Sequence, residues 1–241
     1  MAALGHRYGL VDTIPFFWTL GVIAALGLLA LCLAAVGLSR IWQEGGRGAR
    51  DGIFGALVAL LVLAPFIVSG YRFFAYPALH DISTDFVDPP RFAFLPVSRT
   101  AQMNVLGDML APEAAVIQQQ RYPEVTGRRY ELIADRVLAT VRQLATGRGW
   151  ALVASLERAP EEPFGAVTIE AVARSLLLAF PHDVAIRIVD EDGSTYVDMR
   201  SASRYGLHDF GENARLIDAF LGDLDREVSL QAGVTVEEPS S

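Results

Sequence analysis

Between Val197 and Ile217 the chain reads VDMRSASRYGLHDFGENARLI, and this stretch concentrates the residue types that could do chemistry. Ser203, His208 and Asp209 are a potential nucleophile, base and orienting acid, the set used in acyl transfer. No G-x-S-x-G turn surrounds either serine, and neighbours in sequence such as His208 and Asp209 cannot easily align along an imidazole axis. The sequence therefore assigns no catalytic residue and leaves an enzyme, a hydrolase, as the least expected reading. Along an extended strand Asp198, Arg200, Ala202 and Arg204 share one side, while Val197, Met199, Ser201 and Ser203 share the other. Gly206 and Gly211 then allow a tight path into a helix whose first N–H groups lie near Glu212 and Asn213, an environment that attracts anions.

Two readings of that corner stay open. In one, Arg200 and Arg204, with Ser201, Ser203, Asn213 and Arg187 around them, hold a small anion or a lipid headgroup through bidentate guanidinium contacts. In the other, Arg187, Arg200 and Arg204 pair internally with Asp183, Asp198 and Asp209, which the equal number of carboxylates and guanidiniums favours. No metal or cofactor is expected. His80, His182 and His208 are scattered and no H-E-x-x-H occurs. Asp81, Ser83, Asp85 and Asp88 could ring a calcium ion, but their spacing fits no calcium loop and suits a turn with Asx-type hydrogen bonds.

The elements that must position these residues are legible from periodicity. Residues 100–120 are helix-prone but weakly amphipathic. Tyr130, Ile133, Val137, Val141 and Leu144 recur near a period of 3.6, which predicts a helix over 128–146 after a Thr126 cap. Four strand-like segments follow at 150–156, 166–178, 183–189 and 195–203, with Asp192-Gly193 marking the last hairpin. A closing helix over 212–228 places Ala214, Ile217, Phe220, Leu221, Leu224 and Val228 on one stripe. The expected class is α+β, a four-stranded antiparallel sheet with helices on one face.

The first third of the chain is different material. Residues 14–38 hold no ionisable side chain except the thiol of Cys32, and a second apolar run follows over 52–71. At ~1.5 Å per residue each run, if helical, spans or nearly spans a ~30 Å hydrocarbon core. Small residues, Gly21, Ala25, Ala30 and Ala34 against Gly52, Gly55 and Ala56, would permit close backbone approach in a two-helix transmembrane hairpin. Phe16, Phe17, Trp18 and Trp42, with Tyr71, Phe73, Phe74 and Tyr76, fall where interfacial aromatic belts belong. The connector carries Arg40, Arg47 and Arg50 against Arg7 and Arg72 on the outer flanks. By the positive-inside rule the connector is cytoplasmic and both termini face the other side, the periplasm if the membrane is a bacterial inner membrane. The division expected is a hairpin over 1–76, an extended strap and connecting segment over 77–126, an α+β domain over 127–230 and a disordered tail over 231–241. From Pro77 onward 15 Arg stand against 25 Asp and Glu, a formal charge of −10, which argues against nucleic acid as a partner. Membrane lipids, an integral-membrane protein or a second copy of the chain are the partners expected.

Three stretches carry a resemblance: DISTDFVDPPRF at 81–92, FPHDVAIRI at 180–188 and the long closing motif from Val197. Together they resemble the bacterial and plastid family known as domain of unknown function 1499, over roughly His80 to Val228. The resemblance implies a membrane-anchored member of a family without an assigned activity. Pro181-His182 and His208 depart from the family pattern. The expectation is therefore a membrane-anchored accessory or interaction protein, with anion or headgroup binding at the Arg200/Arg204 corner as the alternative and hydrolysis behind both.

Overall fold

The computed structural model describes residues 2–45, 47–156, 166–175, 178–231 and 233. The expected tail beyond Gly233 and positions 176–177 of the expected second strand lie outside the described residues. The chain divides into two compact units, one built on the residues up to Tyr76 together with the short stretch ending at Ala179, and one on the rest from Pro77 onward.

The first unit is helical. A short α1 (Ala2–Arg7) precedes α2 (Thr13–Glu44) and α3 (Ala49–Ala75), both long and apolar enough to cross a membrane, with mean hydropathy 2.6 and 2.5. Only 6% and 11% of their most apolar stretches is buried within the structure, so almost all of this hydrocarbon surface faces outward. Both helices run beyond the apolar runs and absorb most of the connector. Arg40 and Arg50 sit inside helices, and the turn closes with Gly45 in the left-handed region, its N–H bonded to Ile41 O. The close approaches are at Gly27 and Gly52, where an added Cβ would come within 3.0 Å of Leu63 and 3.1 Å of Leu38. Gly21 and Gly55 have nothing within 4 Å of such a Cβ and are not part of that contact. Phe16 is fully buried beneath His6, with ring centroids 4.4 Å apart, rather than lying in an aromatic belt.

The second unit is built on an antiparallel sheet of six strands, not four. Four long strands, β3 (Ala151–Leu156), β4 (Ala166–Arg174), β5 (Pro181–Glu191) and β6 (Ser194–Ser203), follow one another as a meander. The other two are three-residue strands, β1 (Asp81–Ser83) and β2 (Arg128–Tyr130). They pair end to end with the outer edge of β6, β1 opposite Arg200 to Ala202 and β2 opposite Thr195 to Val197. Segments this short carry no readable period, yet they cover an edge that would otherwise leave its N–H and C=O groups exposed. Tyr130 is buried as a strand residue, so the helix expected from 128 is instead α5 (Ala134–Gly147), with Ile133 as its exposed N-cap. Over 100–120 only α4 (Pro112–Arg121) is helical. The β5–β6 turn uses Asp192 and Gly193 with φ of 44° and 107°, the double left-handed geometry that an Asp-Gly hairpin favours.

α6 (Glu212–Gln231) buries the whole predicted stripe, Ala214, Ile217, Phe220, Leu221, Leu224 and Val228. With Val137 and Val141 of α5 it covers the sheet face that carries Val184, Ile186, Ile188, Val197 and Met199, all at or near zero exposure. At ~25 cal/mol per Å² this apolar layer is the main stabilising contribution to the domain.

Candidate functional site

The opposite face of the same sheet is buried too, but it is charged. Strand register sets Thr168, Arg187 and Asp198 in one row, Glu170, Ala185 and Arg200 in the next, and Val172, Asp183, Ala202 and Asp81 in a third. The segment from Thr84 to Asp108 lies over them and supplies most of the partners. Asp198 accepts Arg187 Nε at 3.1 Å and Nη2 at 2.6 Å, and Arg187 reaches on to Asp88 Oδ2 at 2.7 Å. Burial works against the Arg187 charge, but Asp198 and Asp88 outweigh it and hold the guanidinium above its usual range. Asp183, with no exposure, takes Arg204 Nε at 2.8 Å on one oxygen and Arg99 Nε at 2.7 Å on the other. For Arg99 burial prevails, and its pKa is lowered despite Asp183.

Arg200 is the largest fully buried side chain in the described structure. Its Nε and Nη2 form a fork on Asp81 at 3.0 and 2.7 Å. Nη2 also donates to Gly107 O, and Nη1 donates to Asp108 O and Pro90 O. All five N–H groups are thus spent inside the protein, with Phe92 stacked 5.2 Å from the guanidinium carbon. Glu170, 1% exposed, accepts the backbone N–H groups of Ala93, Phe94 and Leu95 at 2.6, 3.0 and 2.9 Å and pins the overlying segment at the start of its 3-10 turn.

A second polar group occupies the helix-covered face at the end of β5 and β6, where the chain turns into α6. The turn holds Phe210 and Gly211 at φ 56° and 74°. Asp209 accepts the N–H groups of Gly211 and Asn213 at 2.9 Å each, capping the helix through its side chain. Burial raises the Asp209 pKa against those same hydrogen bonds. Asn213, fully buried, accepts Ser201 Oγ–H at 2.7 Å and donates to Ser203 Oγ at 2.9 Å and His80 O at 3.1 Å. Because its amide nitrogen faces those acceptors, its Oδ1 faces His182 Nδ1, 2.9 Å away, and the imidazole must carry its proton there. Burial lowers the His182 pKa, so the ring is neutral at pH 7.

The sequence-derived candidates are therefore split between two faces. Arg187 meets Asp198, and Arg204 meets Asp183, whereas the partner of Arg200 is Asp81, 119 positions away. Asp209 binds helix N–H groups and not a guanidinium. Ser201, Ser203 and Asn213 belong to the helix-side cluster, on the other side of the sheet from Arg187 and Arg200. Ser203 lies 3.2 Å from His182 Nδ1, while His208 Nδ1 accepts the Phe210 N–H and its ring stacks on Phe210. In the extended segment Asp85 Oδ1 accepts the N–H groups of Val87 and Asp88, an Asx turn, and Asp81 and Asp88 are committed to arginines. Among the described residues no group of three His, Cys, Asp or Glu is placed to hold a metal ion. Glu170, Arg99 and Asn104, whose amide donates to Ser203 O at 3.0 Å and Gly206 O at 2.7 Å, are not singled out by spacing, and His182 is weighed there only as a metal ligand. Only the alternation within β4 and β5, a polar side chain in line with buried apolar ones, could have signalled Glu170 and His182.

The family described as Protein of unknown function (DUF1499) matches residues 81–224, more than half of the chain and the whole of both polar clusters. No curated protein matches.

Proposed function

Since the chain belongs to the DUF1499 family, whose description assigns no activity, we propose from its own geometry that it is a membrane-anchored accessory protein. In this reading α2 and α3 cross a bacterial inner membrane as a hairpin, both termini are periplasmic, and the acidic domain docks on an integral-membrane partner or on a second copy of the chain. The carrying observation is the outward-facing hydrocarbon of the two long helices, which needs lipid or protein to cover it. Arg40, Arg47 and Arg50 around the connecting turn, against Arg7 and Arg72 on the other flanks, support the orientation. Closure of the Arg200 fork by Asp81 and backbone carbonyls favours a structural role for that corner over headgroup capture.

Alkaline carbonate extraction of membranes carrying the full-length chain tests the anchor. Retention in the pellet is expected, and release into the supernatant would refute it. Mild-detergent extraction followed by mass determination of the particle tests the assembly. A mass above one chain plus its micelle is expected, and a monomer would remove the docking half of the reading.

A further inference from the structure

The Nε2 edge of His182 is a polar feature of the helix-side cluster that the described residues leave unused. The residue is 3% exposed, and Nδ1 is committed to Asn213, with Ser203 beside it. Among the described residues Nε2 has no hydrogen-bond partner, and it is not sealed from solvent, since the ring lines an open cleft of about 250 Å³ at the N-terminal end of α6. With Nδ1–H fixed by Asn213, Nε2 offers a lone pair to that cleft. Around it are groups of the opposite kind. Ser175 Oγ accepts the Phe180 N–H at 3.0 Å, and its own proton has no acceptor among the described residues. The indole N–H of Trp150 has no acceptor among the described residues either, and its ring is stacked on Phe220 at 4.9 Å. Arg174 and Arg215 stand at the rim, Arg215 paired with Glu212, and Arg148 lies over the Trp150 ring while paired with Asp223, so the lining itself carries three guanidiniums and one carboxylate in a strongly acidic domain.

A ligand that satisfies this set must bring one proton for Nε2 and several acceptor oxygens for the hydroxyl, the indole and the guanidiniums. A carboxylic acid, with a pKa of ~4, has essentially no protonated form at neutral pH, whereas a phosphate monoester, with a second pKa of ~6, is still protonated in roughly a tenth of its molecules at pH 7 and can be bound as that monoanion. We propose that the cleft is a binding site for a phosphate monoester group, with His182 Nε2 sharing its proton and Ser175, Trp150 and the rim arginines holding its oxygens. The site is distinct from the Arg200/Arg204 corner and does not depend on the topology of the anchor. The same chemistry is offered by a soluble monoester and by the headgroup of a phosphatidic acid.

The test uses the full-length chain in phosphatidylcholine nanodiscs, with the His182 imidazole resonances followed by NMR. Inorganic phosphate and glycerol 3-phosphate are added to one sample, and phosphatidic acid is built into the discs of another. A saturable shift with millimolar affinity in the first identifies a soluble ligand, and a shift in the second without additions identifies a lipid, either of which supports the site. His182→Asn keeps a donor toward Asn213 while deleting Nε2, so binding in that variant is read from the phosphorus resonance. It should weaken affinity about tenfold, the loss of one hydrogen bond to a charged ligand. Ser175→Ala removes an exposed-side donor with little risk to folding and should weaken it by a similar factor. The proposal is overturned if neither sample shifts His182 up to about 50 mM phosphate, well above a millimolar constant. It is equally overturned if both variants bind as the parent does.

Discussion

The two faces of the one sheet are equally buried and differently built. Under α5 and α6 the sheet presents Val184, Ile186, Ile188, Val197 and Met199, and stability comes from apolar area. Under the Thr84–Asp108 segment it presents Glu170, Asp183, Arg187, Asp198 and Arg200, and every one of these charges is matched by a carboxylate, a guanidinium or backbone groups of the segment above. The lesson lies in specificity. An apolar face accepts any oily cover of the right shape, whereas the charged face accepts only a cover that brings its carboxylate at Asp88, its arginine at Arg99, its carbonyls at Pro90, Gly107 and Asp108 and its free N–H groups at residues 93–95. An irregular segment, several of whose apolar side chains (Val87, Val97 and Val105) stay exposed, is thereby held in one conformation.

That contrast can be broken most severely from the charged side. Arg200→Ala strands Asp81, Gly107 O and Asp108 O, and should cost about 3–5 kcal/mol, since one partner of a buried pair is removed. Replacing Arg200 and Asp81 together by Met and Leu should cost far less, because no charge is left unpaired. Chemical unfolding of the detergent-solubilised chain by near-ultraviolet circular dichroism measures both, and equal losses would contradict the account of this face. On the apolar side Leu224→Ala should cost about 2–5 kcal/mol through cavity formation, with no compensating partner substitution available. Glu170→Gln halves the capacity of a carboxylate that accepts three N–H groups and should cost about 1.5–3 kcal/mol, read also as faster hydrogen exchange at Ala93 to Leu95.

The smallest effects belong to the cluster beside α6. Asp209→Ala removes a two-donor helix cap and should cost about 1–2 kcal/mol, with Asp209→Asn milder. His182 sharpens the comparison through pH. Its folded pKa lies below the unfolded value, so below about 6.5 the unfolded chain binds the proton more readily and stability falls as pH is lowered. The slope from this one group is at most about 1.4 kcal/mol per pH unit and should vanish in His182→Asn. Asp209 acts in the other direction. Its raised pKa gives stability that is present at low pH and is lost as pH rises through the folded value.

How much of this was legible in the sequence depended on distance along the chain. α6 and the β5–β6 hairpin are local patterns, a 3.6-residue stripe and an Asp-Gly turn between alternating strands, and both stand where periodicity put them. β1 and β2 are three residues each and owe their existence to the free edge of β6, which no local pattern encodes. Tyr130 and Ile133 show the same failure in detail. Both fit the stripe of a helix, yet pairing with β6 drew Tyr130 into the sheet and left Ile133 exposed. Among the site residues, alternation separated Arg200 from Ser201 and Ser203 correctly. It could not reveal that Asp81 would reach Arg200 from the far end of the domain, nor that Asn213 would turn His182 toward the cleft.

The claim on which the functional reading rests is that the hairpin fixes the domain to a membrane on its non-cytoplasmic side. Proteinase added to intact spheroplasts producing the full-length chain measures this directly. The account predicts digestion of the domain from Pro77 onward while the spheroplasts are whole, with a cytosolic marker intact. Protection of the domain until the membrane is lysed would contradict it.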